Sequence, residues 1–310
     1  MKISILIPFY NEEEMIITTH AAVMEQINLL KDYEFELLYI NDGSKDRTFE
    51  LMKEIARQEP RVQYISFSRN FGKEAGTIAG LEHATGDAVL LMDGDLQHPP
   101  SLMREMIETL ESGYDIVSAK RTRSGEERHR TFLAQKFYQI ANSLMDVELV
   151  DGVSEFRILS RKVVDAIVRL QEYNRFSKGL ISWVGFKEKI IEYENRVREK
   201  GETKFNLKYS INYAIQGILS FNDKPLRICF KFGMVCLGIS LLYLIWLFVS
   251  YLVDPKNLVD GYFTTIFVVV LFGGVQLMSI GVLGEYIGKI FYEVKRRPHY
   301  LIDETNIKQP

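Results

Sequence analysis

The sequence is poor in cysteine, in net charge and in the glycine motifs that cradle phosphates. Two cysteines occur in 310 residues, Cys229 and Cys236, too few for a disulfide scaffold or a four-thiolate zinc site. Seven positions apart on one helix they would lie ~10 Å from each other by the helical rise, too far for a bridge. They read as small apolar fillers. Thirty-eight Lys and Arg against 41 Asp and Glu leave a formal charge of −3, which excludes a strongly basic nucleic-acid binder and an acidic tail protein. No nucleic-acid partner is expected. With 19 Phe and 16 Tyr, a disordered chain is excluded as well. No Gly-x-Gly-x-x-Gly follows a predicted strand and no Gly-Lys-Ser/Thr loop exists, so dehydrogenase and P-loop readings fall away. Met1-Lys2-Ile3-Ser4-Ile5-Leu6-Ile7-Pro8 holds a short apolar run without a small-residue cleavage site, so a signal peptide is not expected and the chain is read as starting in the cytosol.

Hydrophobicity is present in quantity but unevenly spread, and a mean hydropathy of −0.05 is the sum of two unlike parts. Residues 232–253 are 22 positions without a charge and 261–284 are 24, each longer than the roughly 20 needed to cross a bilayer core. Neither has a polar face, which argues against buried helices of a soluble domain. Lys224, Arg227 and Lys231 flank the pair on one side, and Lys289, Lys295, Arg296 and Arg297 on the other. The positive-inside rule therefore puts both ends in the cytoplasm and the turn 254–260 outside. Upstream, Arg196, Arg198, Lys200, Lys204 and Lys208 precede the stripe Ile211, Ile215, Ile218 and Leu219. Such a basic amphipathic stretch would lie in the anionic surface of a lipid bilayer; an ordinary core-facing helix is the alternative.

Residues 1 to about 120 alternate β-branched runs with helical periodicity. Strands are expected at 3–7, 34–40, 62–67, 88–92 and 115–118, and helices at 12–30, 46–57, 73–84 and 101–111. That alternation predicts an α/β fold with a mostly parallel, Rossmann-like sheet covered on both faces. Ligands of such sheets bind at the carboxyl ends of strands. Those positions are polar here: Pro8-Phe9-Tyr10-Asn11-Glu12, Asn41-Asp42-Gly43-Ser44 and Asp93-Gly94-Asp95-Leu96-Gln97. Asp93 and Asp95, at the end of a buried strand, would repel each other unless a cation sat between them. Hard oxygen ligands suit Mg²⁺ or Mn²⁺, with Gln97 adding a carbonyl oxygen and phosphate oxygens filling the remaining places; a surface turn is the bland alternative. Asp42 is expected to accept a nucleobase N–H, and Ser44 or Asp46 to cap the following helix. Gly72, Gly76 and Gly80 recur at helical spacing and are expected to form one thin face for close packing.

Those clusters carry a resemblance to the family 2 glycosyltransferases of GT-A fold that act on polyprenyl phosphates. The chain is similar to dolichol-phosphate-mannose synthases and most like the bacterial bactoprenol-phosphate enzymes with a C-terminal transmembrane hairpin. The segments that carry it are Pro8–Glu12, Asn41–Asp46, Ser66–Ala75, Met92–Pro99, Glu155-Phe156-Arg157, Arg175–Leu180 and Lys224-Pro225-Leu226-Arg227. The resemblance implies a UDP-sugar donor and undecaprenyl phosphate as acceptor at a bacterial plasma membrane, with a homo-oligomer expected. It places the donor against Pro8, Tyr10, Glu12, Asp42, Lys73 and Asp93, with the metal on Asp93, Asp95 and Gln97. Asp95, Glu155 and Arg157 are implied at the reaction centre. Arg121, Arg123 and Arg130, from the basic run after the fifth strand, are implied to meet the lipid phosphate, Arg123 and Arg128 having a solvated loop as their alternative. The expected organisation is a GT-A domain over 1–195, a basic juxtamembrane segment over 196–227, a hairpin over 228–288 and a cytosolic basic tail over 289–310.

Two departures from the family pattern stand out. Gly94 replaces a common Ala, expected to be harmless because the carboxylates keep their spacing. Glu155 stands where Asp is usual, and a displacement of ~1 Å at a reacting group can cost on the order of a hundredfold. The segments Arg175–Leu180, Tyr193-Glu194-Asn195 and Arg297–Ile302 resemble a subgroup associated with N-acetylglucosamine, favoured over glucose. A processive polysaccharide synthase is the rival enzyme, but no Gln-x-x-Arg-Trp occurs. A non-catalytic membrane scaffold is the rival of another class, and it would be expected to have lost the two carboxylates.

Overall fold

The computed structural model describes residues 1–122, 142, 150–193, 224–253 and 261–308. Arg123, Arg128 and Arg130, the amphipathic stretch before residue 224 and the turn 254–260 lie outside the described residues.

The strands are β1 (Lys2–Phe9), β2 (Glu34–Asn41), β3 (Val62–Phe67), β4 (Ala88–Leu91), β5 (Ile116–Arg121), β6 (Val153–Ser160), β7 (Glu188–Tyr193) and β8 (Ile302–Thr305). The helices are α1 (Ile16–Leu29), α2 (Thr48–Gln58), α3 (Lys73–His83), α4 (Met103–Glu111), α5 (Arg161–Arg169), α6 (Ser177–Trp183), α7 (Lys224–Val253) and α8 (Tyr262–Lys295). The strands form one sheet in the order β7-β5-β6-β4-β1-β2-β3-β8. β6 runs antiparallel to β4 and β5, and β8 antiparallel to β3, while the other pairings are parallel. The expected mostly parallel sheet is thus present, with two reversed strands. Central strands read as continuous apolar runs because helices cover both faces: Ile3, Ile5, Leu6 and Ile7 in β1 and Leu37, Leu38, Tyr39 and Ile40 in β2 are fully buried. β1 leads to β2 on one side and pairs with β4 on the other, so the chain direction switches there. The crevice at such a switch lies where the β1 and β4 ends meet.

Helix α3 shows where its glycines are needed. A Cβ on Gly80 would stand 2.0 Å from Leu6 Cδ1, and one on Gly76 3.4 Å from Pro8 Cβ. The thin face is therefore required at Gly80, whereas a Cβ at Gly76 would make ordinary contact. Gly72 serves differently: its φ of 96° places it in the left-handed region as the chain turns into α3.

The apolar stretches form the long helices α7 and α8, which pack on each other. At about 1.5 Å per residue, 30 and 34 residues give roughly 45 and 51 Å, well beyond a bilayer core of about 30 Å. Within their apolar windows none of the described residues is buried; Leu242, Leu277 and Met278 are about 70% exposed. A soluble core would have covered them. The hairpin is a membrane hairpin. A Cβ added at Gly281, Gly284 or Gly288 of α8 would meet nothing within 4 Å.

The tail differs most from expectation. α8 continues past the apolar stretch to Lys295, ends on Arg296 with φ 47°, and the chain then returns to the sheet. Ile302, Glu304 and Thr305 pair with β3. The Tyr64 hydroxyl donates to Glu304 Oε1 at 2.9 Å and the Tyr64 amide to Asn306 Oδ1 at 2.7 Å. Tyr300 stacks on Phe67 at 4.9 Å and its hydroxyl donates to Glu82. A basic tail could not be read as a strand because its four residues, Ile-Asp-Glu-Thr, carry too little apolar pattern. Tyr300→Ala, which removes one stacked ring and one hydrogen bond, should lower stability by about 1–2 kcal/mol, read as a lower melting temperature of the detergent-solubilised protein.

Candidate active site

The site is assembled at the carboxyl ends of β1, β2, β3 and β4 and at the amino end of the reversed strand β6. The first two are laced together. Asn11, held at φ 52°, receives the Lys45 amide on Oδ1 at 2.8 Å, and its own amide donates to Ser44 Oγ at 3.0 Å. The Glu12 amide donates to Thr48 Oγ1. Asp46, rather than Ser44, receives the first N–H of α2, from Thr48 at 3.0 Å.

Asp42 is placed differently from expectation. It is buried, its Oδ1 takes the Phe71 amide at 2.7 Å and its Oδ2 the Gly72 amide at 2.9 Å. Burial raises its pKa despite those bonds. The carboxylate therefore holds the β3–α3 loop in place, and Asp42 is not among the residues lining either cavity described below. Gly43 beside it, at φ 63°, has the Arg69 carbonyl carbon 2.3 Å from where a Cβ would be, so the same two loops meet there backbone to backbone.

At the end of β4, Asp93 is paired at once. Lys73 Nζ lies 2.6 Å from Oδ1 and His98 Nε2 3.5 Å from Oδ2. Burial acts to raise the Asp93 pKa, but Lys73 and His98 overcome it and hold the carboxyl well below its usual range. Lys73 shows the complement: burial alone would lower its pKa, and Asp93 and Glu155 raise it above the ordinary lysine value. His98 is buried, stacks on Phe156 at 5.5 Å and shares a 2.7 Å hydrogen bond between Nδ1 and the Tyr193 hydroxyl. Asp95 turns back on itself, its Oδ1 accepting the Gln97 amide at 3.1 Å. Between the two carboxylates there is room only for glycine, since a Cβ on Gly94 would stand 2.6 Å from the buried Phe9 ring. Thr19 Oγ1 of α1 pins the Gly94 carbonyl at 2.6 Å.

Among the described residues no three His, Cys, Asp or Glu converge as a ready-made metal cage. Asp93, Asp95 and the Gln97 side-chain carbonyl nevertheless offer hard oxygen donors of the kind that bind Mg²⁺ or Mn²⁺ through one or two carboxylates and leave the other places to water and substrate phosphate, although Asp95, unlike Asp93 and Gln97, lines neither cavity described below. The ammonium already drawn to Asp93 shows that this position demands positive charge. The residues fit the ion on those terms.

A cavity of about 670 Å³ opens above this point, within the usual range for a small-molecule site. Lys73, Asp93, Gln97, His98, Arg121 and Glu155 line it, together with Glu74, Tyr173, Arg175, Ser177, Lys178 and His299. Glu155, on β6, lies 3.9 Å from Lys178. Burial acts to raise its pKa, but Arg157, Lys178 and Lys73 together lower it. Arg157 itself is 2% exposed, donates to the Ser154 carbonyl at 2.9 Å and is absent from the cavity lining. It lies under the floor, as a charge beneath Glu155. Glu74 takes the Ser177 amide and hydroxyl, and burial together with the nearby Glu155 raises its pKa. A second cavity, lined by Tyr10, Asn41, Ser44, Phe49, Phe67 and Asp303, shares Arg69 with the first. Pro8 and Glu12 line neither.

Of the residues expected from sequence, Lys73, Asp93, Gln97, Arg121 and Glu155 are brought together and Tyr10 stands in the adjoining cavity. His98, Tyr193, Tyr173, His299 and Asp303 were missed as site residues. His98 carries a signal, standing three residues after Asp95. The others come from segments distant in sequence, His299 and Asp303 from the tail after the membrane helices.

Residues 4–168 match the model of the glycosyl transferase family 2, and residues 224–290 that of the GtrB C-terminal hairpin. A putative glycosyltransferase CsbB of Bacillus subtilis is 48% identical over 98% of this chain and 92% of its own. The bactoprenol glucosyl transferase of Shigella phage SfX is 44% identical over 97% and 99%, and a prophage bactoprenol glucosyl transferase homolog of Escherichia coli is 42% identical over 97% and 98%. A solved structure of glucosyl-3-phosphoglycerate synthase from Mycobacterium tuberculosis covers 70% of this chain and 76% of its own at 20% identity, with a TM-score of 0.46, a level at which ligands do not transfer.

Asp42→Asn keeps the shape of the side chain but turns an NH₂ toward an amide donor. It should cost about 1–3 kcal/mol of stability and weaken UDP binding; a normal melting temperature with weakened UDP binding would instead return Asp42 to direct ligand contact. Gly94→Ala should cost about 1–3 kcal/mol through overpacking against Phe9, again read by thermal unfolding.

Proposed function

The chain belongs to glycosyl transferase family 2 and is a glycosyltransferase; from that premise we propose that it transfers one sugar from a UDP-sugar to undecaprenyl phosphate, with inversion at the anomeric carbon. The observation that carries this reading is a single cavity lined both by Asp93, Lys73 and Glu155 and by Tyr173 and His299, which stack on each other beside the end of the second membrane helix. A site so placed suits a reaction between a soluble nucleotide sugar and a lipid. The printed names of the phage and prophage relatives, bactoprenol glucosyl transferases, support the same acceptor.

The acceptor requires little activation. A phosphate monoester has a second pKa of about 6 and is largely dianionic at neutral pH. One of its oxygens forms the bond to the anomeric carbon while the bond from that carbon to the UDP oxygen breaks, and the electron pair leaves with UDP. The chain's task is to hold two phosphorylated groups in line. Arg121 and Lys178, two of the described cations that line the cavity, are proposed to meet the acceptor phosphate, with Arg123 and Arg130 adding to them. Lys73 is proposed to move from Asp93 to the donor diphosphate. Mg²⁺ or Mn²⁺, held by Asp93, Asp95 and Gln97, would neutralise charge on the leaving diphosphate. Glu155, its pKa lowered by three cations, is a weak base and serves to position Lys178 and Lys73. Both chain ends are proposed to face the cytoplasm and the protein to form a homo-oligomer.

N-acetylglucosamine and glucose are the two sugars in question. The family resemblance in the tail segments favours the first, and the relatives' names favour the second. Purified protein incubated with undecaprenyl phosphate and each UDP-sugar in turn should yield one lipid-linked monosaccharide from one of them. Asp95→Ala should reduce that yield by at least about a hundredfold, and chelation of divalent ions should do the same to the unaltered enzyme. A product longer than one sugar would favour a processive synthase; no transfer from any UDP-sugar would favour the scaffold.

A further inference from the structure

Glu293 lies in the last turn of α8, where the helix macrodipole disfavours a negative charge. Its carboxylate is nevertheless placed to accept a set of fixed donors. Oε2 takes the Tyr173 amide at 3.0 Å, and Oε1 takes the Asn174 amide at 3.1 Å and the Asn174 side chain at 3.2 Å. The Tyr173 ring stacks on Tyr292 at 5.5 Å and 6°, and on His299 at 5.9 Å and 20°. Three residues further, the Ser177 amide and hydroxyl donate to Glu74 of α3, next to the Lys73 that pairs with Asp93. Residues 173–177 are thus a strap held at one end by a membrane-helix carboxylate and at the other by a cavity carboxylate. Tyr173, Arg175 and Ser177 of that strap line the cavity.

The two ends of the cavity face different substrates. Its Arg69 end continues into the second cavity beside Tyr10 and Asn41, leaving that end to the nucleotide sugar. Its Tyr173 and His299 end abuts the helix that leads out of the bilayer, and a lipid-borne phosphate arrives from that side. We propose that Glu293 is a positioning residue for the acceptor end of the site, acting through the Tyr173–Asn174 turn to hold the strap in register with Lys73 and Asp93. This rests on the lipid-acceptor reading above. The carboxylate touches neither substrate; it determines where the wall that receives the lipid phosphate stands.

The test uses the full chain in nanodiscs, with the UDP-sugar that the unaltered enzyme accepts and undecaprenyl phosphate as the second substrate. Glu293→Ala should raise KM for undecaprenyl phosphate about tenfold, while KM for the UDP-sugar and kcat at saturating acceptor stay within about twofold. Glu293→Gln retains one oxygen for the Asn174 amide and loses the bond from Tyr173, so it should give an intermediate rise of about threefold; it also serves if Glu293→Ala does not fold. Equal rises in both KM values, a fall in kcat alone, or a Glu293→Gln enzyme indistinguishable from the unaltered one would overturn the proposal. If the unaltered enzyme transfers no sugar to undecaprenyl phosphate, the acceptor reading fails and this inference falls with it; transfer with an unchanged acceptor KM in both variants overturns the inference alone.

Discussion

Asp93, part-exposed at the mouth of a buried strand, is held in its charged form chiefly by Lys73 at 2.6 Å. Much of the surrounding structure serves to keep those two groups facing each other. Lys73 opens α3, and α3 can lie against β1 because Gly80 leaves room for Leu6. The loop that delivers Lys73 is fastened from below by Asp42. Asp93 is steadied by His98 on its other oxygen and by the Thr19 hydroxyl on the next carbonyl. Glu155, Arg157 and Lys178 extend the same alternation of charge across the floor, so the cavity holds ionised groups that individually would be costly to bury.

What could be read in the sequence follows from how local each signal is. β1 to β5 and α1 to α4 show in the pattern because buried parallel strands and amphipathic helices repeat within a few residues. The carboxylates Asp93 and Asp95 show because they terminate such a strand. The membrane helices show by length alone. Asp42 was assigned its place by sequence position but not its partner, because the two amides that occupy it belong to residues about 30 positions away. Gly94 was read by spacing of its neighbours, whereas its real constraint is the Phe9 ring, which reaches it from β1. The Glu155-Phe156-Arg157 motif leaves Arg157 either to a phosphate or to Glu155; the two side chains share a face of β6, and the buried guanidinium turns back to the Ser154 carbonyl and lowers the Glu155 pKa.

The tail was the least legible part, and it joins what composition divides. An apolar hairpin and a polar α/β domain look like separate modules along the chain. In space the helix α8, the Tyr173 stack and β8 make one continuous connection, with His299 in the first cavity and Asp303 in the second. The tail that follows the bilayer helices therefore contributes to the walls of both cavities.

That return of the chain has a consequence for the order of assembly. β3 lies at the edge of the sheet until β8 pairs with it, and an unpaired edge is a template for wrong partners. β8 is made last, after both apolar helices. The sheet is therefore finished, and its open side closed, once the hairpin has been synthesised and its end brought back to the domain. A chain cut after the hairpin would leave β3 as an open edge, so the segment beyond the membrane helices belongs to the sheet of the catalytic domain.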